Sequence, residues 1–142
     1  MMEKKATLLA LVDDDEDVRV ALVRLVSSAG FAVEAFASGS EFLRSVEDHE
    51  PDCVVLDLHM PGMSGFDVQR ALAVAHAAVP VVVITGHDVP ESCERAMRLG
   101  AKAYLRKPVD DEALLSAIGT AIAAGSAGSG ESVPGQLNSG EG

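Results

Sequence analysis

The chain has no tryptophan, a single tyrosine and four phenylalanines among its 142 residues. A core built without aromatics must come from Val, Leu, Ile and Ala, and hydrophobic residues do supply 48% of the sequence. Basic residues are also scarce: 11 Lys and Arg stand against 22 Asp and Glu, for a formal net charge of −11. A phosphate backbone is held by Lys and Arg that displace its counterions, so direct nucleic-acid binding is disfavoured and cations or a basic partner surface are favoured. No run approaches the ~18 apolar residues that read as a membrane span, so no membrane association is expected. The N-terminus lacks the apolar region and cleavage site of a signal peptide. Only two cysteines are present, Cys53 in an apolar run and Cys93 in a polar one. They form neither a metal motif nor a disulfide framework, and read as free thiols of a cytoplasmic protein.

What is present is organised as alternating segments. Leu8 to Val12, Cys53 to Leu56 and Val79 to Ile84 are continuous, β-branched apolar runs, the pattern of parallel strands covered on both faces. Phe31 to Phe36 and Lys102 to Arg106 are weaker strands. Between them, Val18, Leu22, Leu25, Val26 and Ala29 follow helical spacing, with Gly30 as a stop. Phe42, Leu43 and Val46 make a second helix that starts near Ser38 or Ser40. Phe66, Ala71, Leu72 and Ala75 make a third, begun through Gly65. Cys93, Ala96 and Met97 make a fourth, and Leu114, Leu115, Ile118, Ala121 and Ile122 a fifth. The order βαβαβαβαβα predicts an α/β fold, a doubly wound parallel sheet with helices on both faces. Residues 6–124 form one domain. The remainder, 125–142, is rich in Gly and Ser, is nearly devoid of apolar residues, and reads as a flexible tail.

In such a fold, ligands bind outside the carboxyl ends of the strands. There the first strand delivers Asp13 and Asp14, the third Asp57, the fourth Thr85 with Gly86, and the fifth Lys107 with Pro108. Carboxylates sharing a pocket raise one another's pKa unless a cation compensates, and one ammonium cannot neutralise three acids. A hard divalent ion such as Mg²⁺ (or Mn²⁺) suits a few carboxylates together with phosphate oxygens. Asp57 then reads as a nucleophile toward phosphorus, with Lys107 and Thr85 stabilising the transferred group. Gly86 leaves the approach open. The acids from Asp13 to Asp17 are contiguous. Asp15, Glu16 and Asp17 read as the start of the first helix, where the dipole favours negative charge.

The stretches "VDDDED" (12–17), "VVLDLHMPGMSG" (54–65), "VVVITGHD" (81–88) and "AYLRKP" (103–108) together resemble the receiver domain of two-component response regulators. The resemblance covers residues 6 to 124. It implies a flavodoxin-like sheet of strand order 2-1-3-4-5 and phosphorylation at Asp57 by a sensor histidine kinase or a histidine phosphotransfer protein. It further implies Asp14, Asp57 and the His59 backbone carbonyl as metal ligands, with Asp13 acting through water. Lys107 would contact the phosphoryl group, and a cis Lys107–Pro108 bond would aim it there. Thr85 and Tyr104 would be the switch residues, remodelling the face of the fourth helix, fifth strand and fifth helix.

His59 and His87 flank the site. They read either as exposed loop residues or as residues that set phosphoryl lifetime, since His titrates near neutrality. A zinc site built from them has no supporting ligand spacing.

The expected role is a regulated acceptor, not a turnover enzyme. The alternatives are a pseudo-receiver that is never phosphorylated, the N-terminal part of a DNA-binding regulator, and a Mg²⁺-dependent phosphatase of the haloacid-dehalogenase type. The last would need an acid/base Asp where His59 stands. A stand-alone receiver is the favoured form, acting on a downstream protein, with homodimerisation open.

Overall fold

A computed structural model describes residues 7–75, 77–87 and 89–130, with side chains through residue 124. Met1–Ala6, His76, Asp88 and the tail residues 131–142 lie outside the described residues.

Five strands alternate with five helices: β1 (Leu8–Val12), α1 (Glu16–Ser28), β2 (Ala32–Phe36), α2 (Gly39–Asp48), β3 (Cys53–Asp57), α3 (Gly65–Val74), β4 (Val81–Thr85), α4 (Pro90–Arg98), β5 (Ala103–Arg106) and α5 (Asp111–Gly130). The strands form one parallel sheet in the order β2-β1-β3-β4-β5, the expected doubly wound α/β arrangement.

Side chains of a strand alternate between faces, and here both faces are covered. Ala10, Val12, Val54, Leu56, Val81 and Val83 pack with Phe42 of α2, Phe66, Val68 and Leu72 of α3 and Ala96 of α4. Leu9, Leu11, Cys53, Val55, Val82 and Ile84 pack with Leu22 and Val26 of α1 and Leu114, Ile118 and Ala121 of α5. This two-sided burial is why the central strands read as unbroken apolar runs. β2 and β5 are the sheet edges and are only partly buried, so their patterns are weaker.

The helix boundaries have local causes. Asp15 caps α1 by accepting from the backbone N–H groups of Asp17 and Val18, and the first turn carries Glu16 and Asp17. That places these three acids at the helix start, as expected. Gly30, at φ +101°, ends the segment in a conformation open to glycine. Ser38, the first of the two candidates, caps α2. Ser64 and Asp67 form a reciprocal capping box on α3.

Two boundaries differ from expectation by more than one residue. β4 starts at Val81, two residues late, because Pro80 has no N–H for the ladder, although its carbonyl still accepts from Val54. α5 continues to Gly130, so the helix extends six residues past the expected end of the domain at Ala124. Among the described residues, no helix is long and apolar enough to cross a membrane.

Candidate functional site

Register brings the carboxyl ends of the strands level. Val12 pairs with Leu56, Asp57 with Ile84, and Thr85 with Arg106. The residue at or just beyond each end therefore projects into one shared pocket. Asp13, Asp14 and Asp57 each offer a carboxylate oxygen, and these atoms lie within 4.8 Å of one another. Asp13 and Asp57 are buried, whereas Asp14 is exposed, so the cluster has a closed floor and an open mouth. Lys107 reaches over it, its Nζ 2.9 Å from Asp13 Oδ2 and 3.5 Å from Asp57 Oδ2. The Lys107–Pro108 peptide is cis, as the resemblance implied.

Electrostatics follow from this crowding. Burial, reinforced by the Asp13 charge, pushes the Asp57 carboxyl up to about 6, against the opposing pull of Lys107 and of the His59 N–H. Burial works against the Lys107 ammonium, but its close ionic contact with Asp13 and the charge of Asp57 outweigh it and hold its pKa above the ordinary value. The pocket remains short of positive charge.

A divalent cation fits this donor set. The buried Oδ2 of Asp13 has no hydrogen-bond partner of good geometry, despite its close approach to Lys107. Its companion Oδ1 accepts from the Asp15 N–H at 2.9 Å. A buried carboxylate oxygen with a free lone pair beside two further carboxylates is the oxygen-rich setting that hard cations take. Among the described residues, the His59 and His87 side chains belong to no metal-ligating cluster of three or more.

The remaining expected residues fall around this core. Thr85 is fully buried, and its hydroxyl is engaged with its own loop. It accepts from the His87 N–H at 3.0 Å and donates to the His87 carbonyl at 3.3 Å. Tyr104 is partly buried and packs against the sheet face that carries α2, α3 and α4. The His59 N–H approaches Asp57 Oδ1 at 3.4 Å. The His59 and His87 rings lie 5.0 Å apart. A Cβ at Gly86 would meet only the Lys107 Cδ, at 3.7 Å, so the protein's own packing does not require glycine there.

Two supporting residues had no functional reading in the sequence. Gly65 runs against the β3–α3 turn: a Cβ there would lie 2.6 Å from the Asp57 carbonyl oxygen and 2.8 Å from the Leu58 Cα. In the sequence it stood only as a helix start and as the last residue of the 54–65 stretch. Arg19 of α1 donates from Nη1 to the Asp13 carbonyl at 2.8 Å and so fixes the loop that carries the acids. An Arg in an amphipathic helix gives no signal of that contact.

The pocket and the sheet order together define a receiver. The family model for the response regulator receiver domain matches residues 9–119, and the chain belongs to that family. Residues along 85% of the chain are 41% identical to the response regulator protein TodT of Pseudomonas putida, covering 53% of that protein. The transcriptional regulatory protein FixJ of Azorhizobium caulinodans is 41% identical over 76% of the chain and 51% of its own length. Among solved structures, a response regulator receiver protein from Burkholderia phymatum superposes with a TM-score of 0.74 at 42% identity, covering 84% of this chain and 96% of that one. The chain spans about half the length of the curated relatives it matches.

Proposed function

We propose that Asp57 is the phosphoacceptor and that Mg²⁺ (or Mn²⁺) is the resident cation. The observation that carries this is the convergence of Asp13, Asp14 and Asp57 under Lys107. In the reaction, an ionised Asp57 oxygen attacks the phosphorus of a phosphohistidine on a sensor kinase or histidine phosphotransfer protein. The new O–P bond forms as the N–P bond breaks, and the imidazole leaves with the bonding pair.

With a pKa of about 6, Asp57 is mostly ionised at neutral pH and so competent as a nucleophile. Asp14, Asp57 and the His59 carbonyl would hold the cation, and Asp13 would act through water. Bound there, the cation supplies charge compensation for the carboxylates and the transferred oxygens. Lys107, already leaning toward the pocket, moves from Asp13 onto the phosphoryl oxygens. The Thr85 hydroxyl leaves His87 to do the same, and the Tyr104 environment changes with it. The readout is a remodelled α4–β5–α5 face and altered affinity for a downstream protein. The chain acts as a regulated acceptor, not as a turnover enzyme. Its complete acidic set argues against a pseudo-receiver, and His59 in place of a second acid argues against a haloacid-dehalogenase type of phosphatase.

The test is intact mass after incubation with acetyl phosphate and Mg²⁺. The wild type gains one phosphoryl group, and Asp57→Asn gains none. A gain that persists in Asp57→Asn, or no gain with either acetyl phosphate or a phosphorylated kinase, overturns the assignment.

For the output, the half-length match to transcriptional regulators favours the receiver part of a DNA-binding regulator over the stand-alone form. Nucleic-acid contact would then fall to a segment other than this acidic domain.

A further inference from the structure

The Thr85 hydroxyl is bound to one particular carbonyl, that of His87, and this carbonyl has a second donor. His59 Nε2 lies 3.3 Å from the same oxygen, reaching across from the β3–α3 loop to the β4–α4 loop. A carbonyl oxygen only accepts, so His59 bonds it as the Nε2–H tautomer. Both lone pairs of the His87 carbonyl are then used, one by Thr85 and one by His59. Meanwhile the His87 N–H returns a bond to Thr85 Oγ1 at 3.0 Å.

We infer that the His59 side chain is a positioning residue that latches the β4–α4 loop in the arrangement where the Thr85 hydroxyl is consumed by its own loop. The inference rests on the receiver reading for its consequence, but not for its geometry. When Thr85 turns to the phosphoryl group, it must leave the His87 carbonyl. The His59 bond opposes that step by holding the carbonyl in place. His59 follows the phosphoacceptor by two residues, so displacement of the Asp57 loop on phosphorylation pulls on the latch directly. The loop that receives the phosphoryl group thereby also gates the residue that senses it.

The contact runs to a main-chain atom of His87, which sets the test. In the unphosphorylated protein, hydrogen exchange at the His87 amide reports the Thr85–His87 arrangement. His59→Ala is expected to speed that exchange about five-fold, the scale of one neutral hydrogen bond, and to leave core amides such as Val83 unchanged. His59→Gln, which keeps an N–H donor on a side chain of similar reach, restores the slow rate. His87→Ala keeps the carbonyl and loses only the ring contact, so it changes the rate much less than His59→Ala. The reaction with acetyl phosphate is expected to be faster in His59→Ala than in His59→Gln.

Unchanged His87 exchange in His59→Ala, no rescue by Gln, or equal effects of His59→Ala and His87→Ala each overturn the latch. Failure of every variant and the wild type to accept phosphate would instead overturn the receiver reading, while the exchange data still judge the latch.

Discussion

Lys107 Nζ stands closer to Asp13 (2.9 Å) than to Asp57 (3.5 Å). The ammonium thus leans on the neighbour of the phosphoacceptor, leaving the Asp57 oxygens less shielded and more available to an incoming phosphorus. The same contact compensates Asp13, which is fully buried. Replacing Lys107 by Met removes that compensation. It is expected to destabilise the metal-free protein by about 2–4 kcal/mol at neutral pH, since breaking a buried pair strands the other charge. Mg²⁺ affinity, measured by calorimetry, should rise, because a like charge has left the pocket.

The Asp57 carboxyl is raised from 3.8 to about 6 by burial and by Asp13. A raised acid pKa means that the native state takes up its proton before the unfolded state does. In EDTA, the contribution of this group to stability is therefore greatest below about pH 4, falls as the pH rises through about 6, and is absent above. The corresponding cost at pH 7 is about 3 kcal/mol at most. Asp57→Asn is expected to unfold in urea at a higher midpoint than wild type at pH 7.5, and the advantage should shrink toward pH 4. Added Mg²⁺ should stabilise wild type at pH 7.5 and do so far less for the variant.

The two glycines near the site differ sharply. At Gly65 a methyl group would be driven into the Asp57 carbonyl and the Leu58 backbone, whereas at Gly86 it would touch only the flexible stem of Lys107. Gly65→Ala is expected to cost about 1–3 kcal/mol, as overpacking against rigid neighbours does, and to slow phosphorylation by displacing Asp57. Gly86→Ala should fold normally. Thermal unfolding and acetyl phosphate kinetics on the two variants separate these outcomes.

The run of acids from Asp13 to Asp17 divides its labour. Asp15 holds the N–H groups of Asp17 and Val18 at 2.9 and 3.2 Å. Asp15→Ala should lower stability by about 1 kcal/mol, the cost of a lost helix cap, with Mg²⁺ binding retained. Asp14→Ala should leave the cap intact and abolish Mg²⁺ binding. Comparing chemical denaturation with metal titration on both variants reads the division directly.

Much of this protein is legible without a structure because it is encoded locally. The apolar runs at β1, β3 and β4 announce strands buried on both faces, Ser38 caps the helix it precedes, and Gly30 ends α1 with a positive φ. Even the list of site residues follows, since an alternating α/β chain displays the loops after its strands at one edge. The resemblance then supplied the roles.

What tertiary structure alone decided concerns distances between segments remote in sequence. Asp13, Asp57, Thr85 and Lys107 become one pocket only because the strand register brings the strand ends level. The lean of Lys107 toward Asp13, the fit of Gly65 against the Asp57 backbone, the Arg19 bond to the Asp13 carbonyl and the His59–His87 contact are invisible in a one-dimensional pattern. Hydrophobic periodicity and capping chemistry act over a few residues, so sequence by itself determined the elements and their order. The pKa of Asp57 depends on burial and on charges a few ångströms away, and those exist only once the sheet has closed.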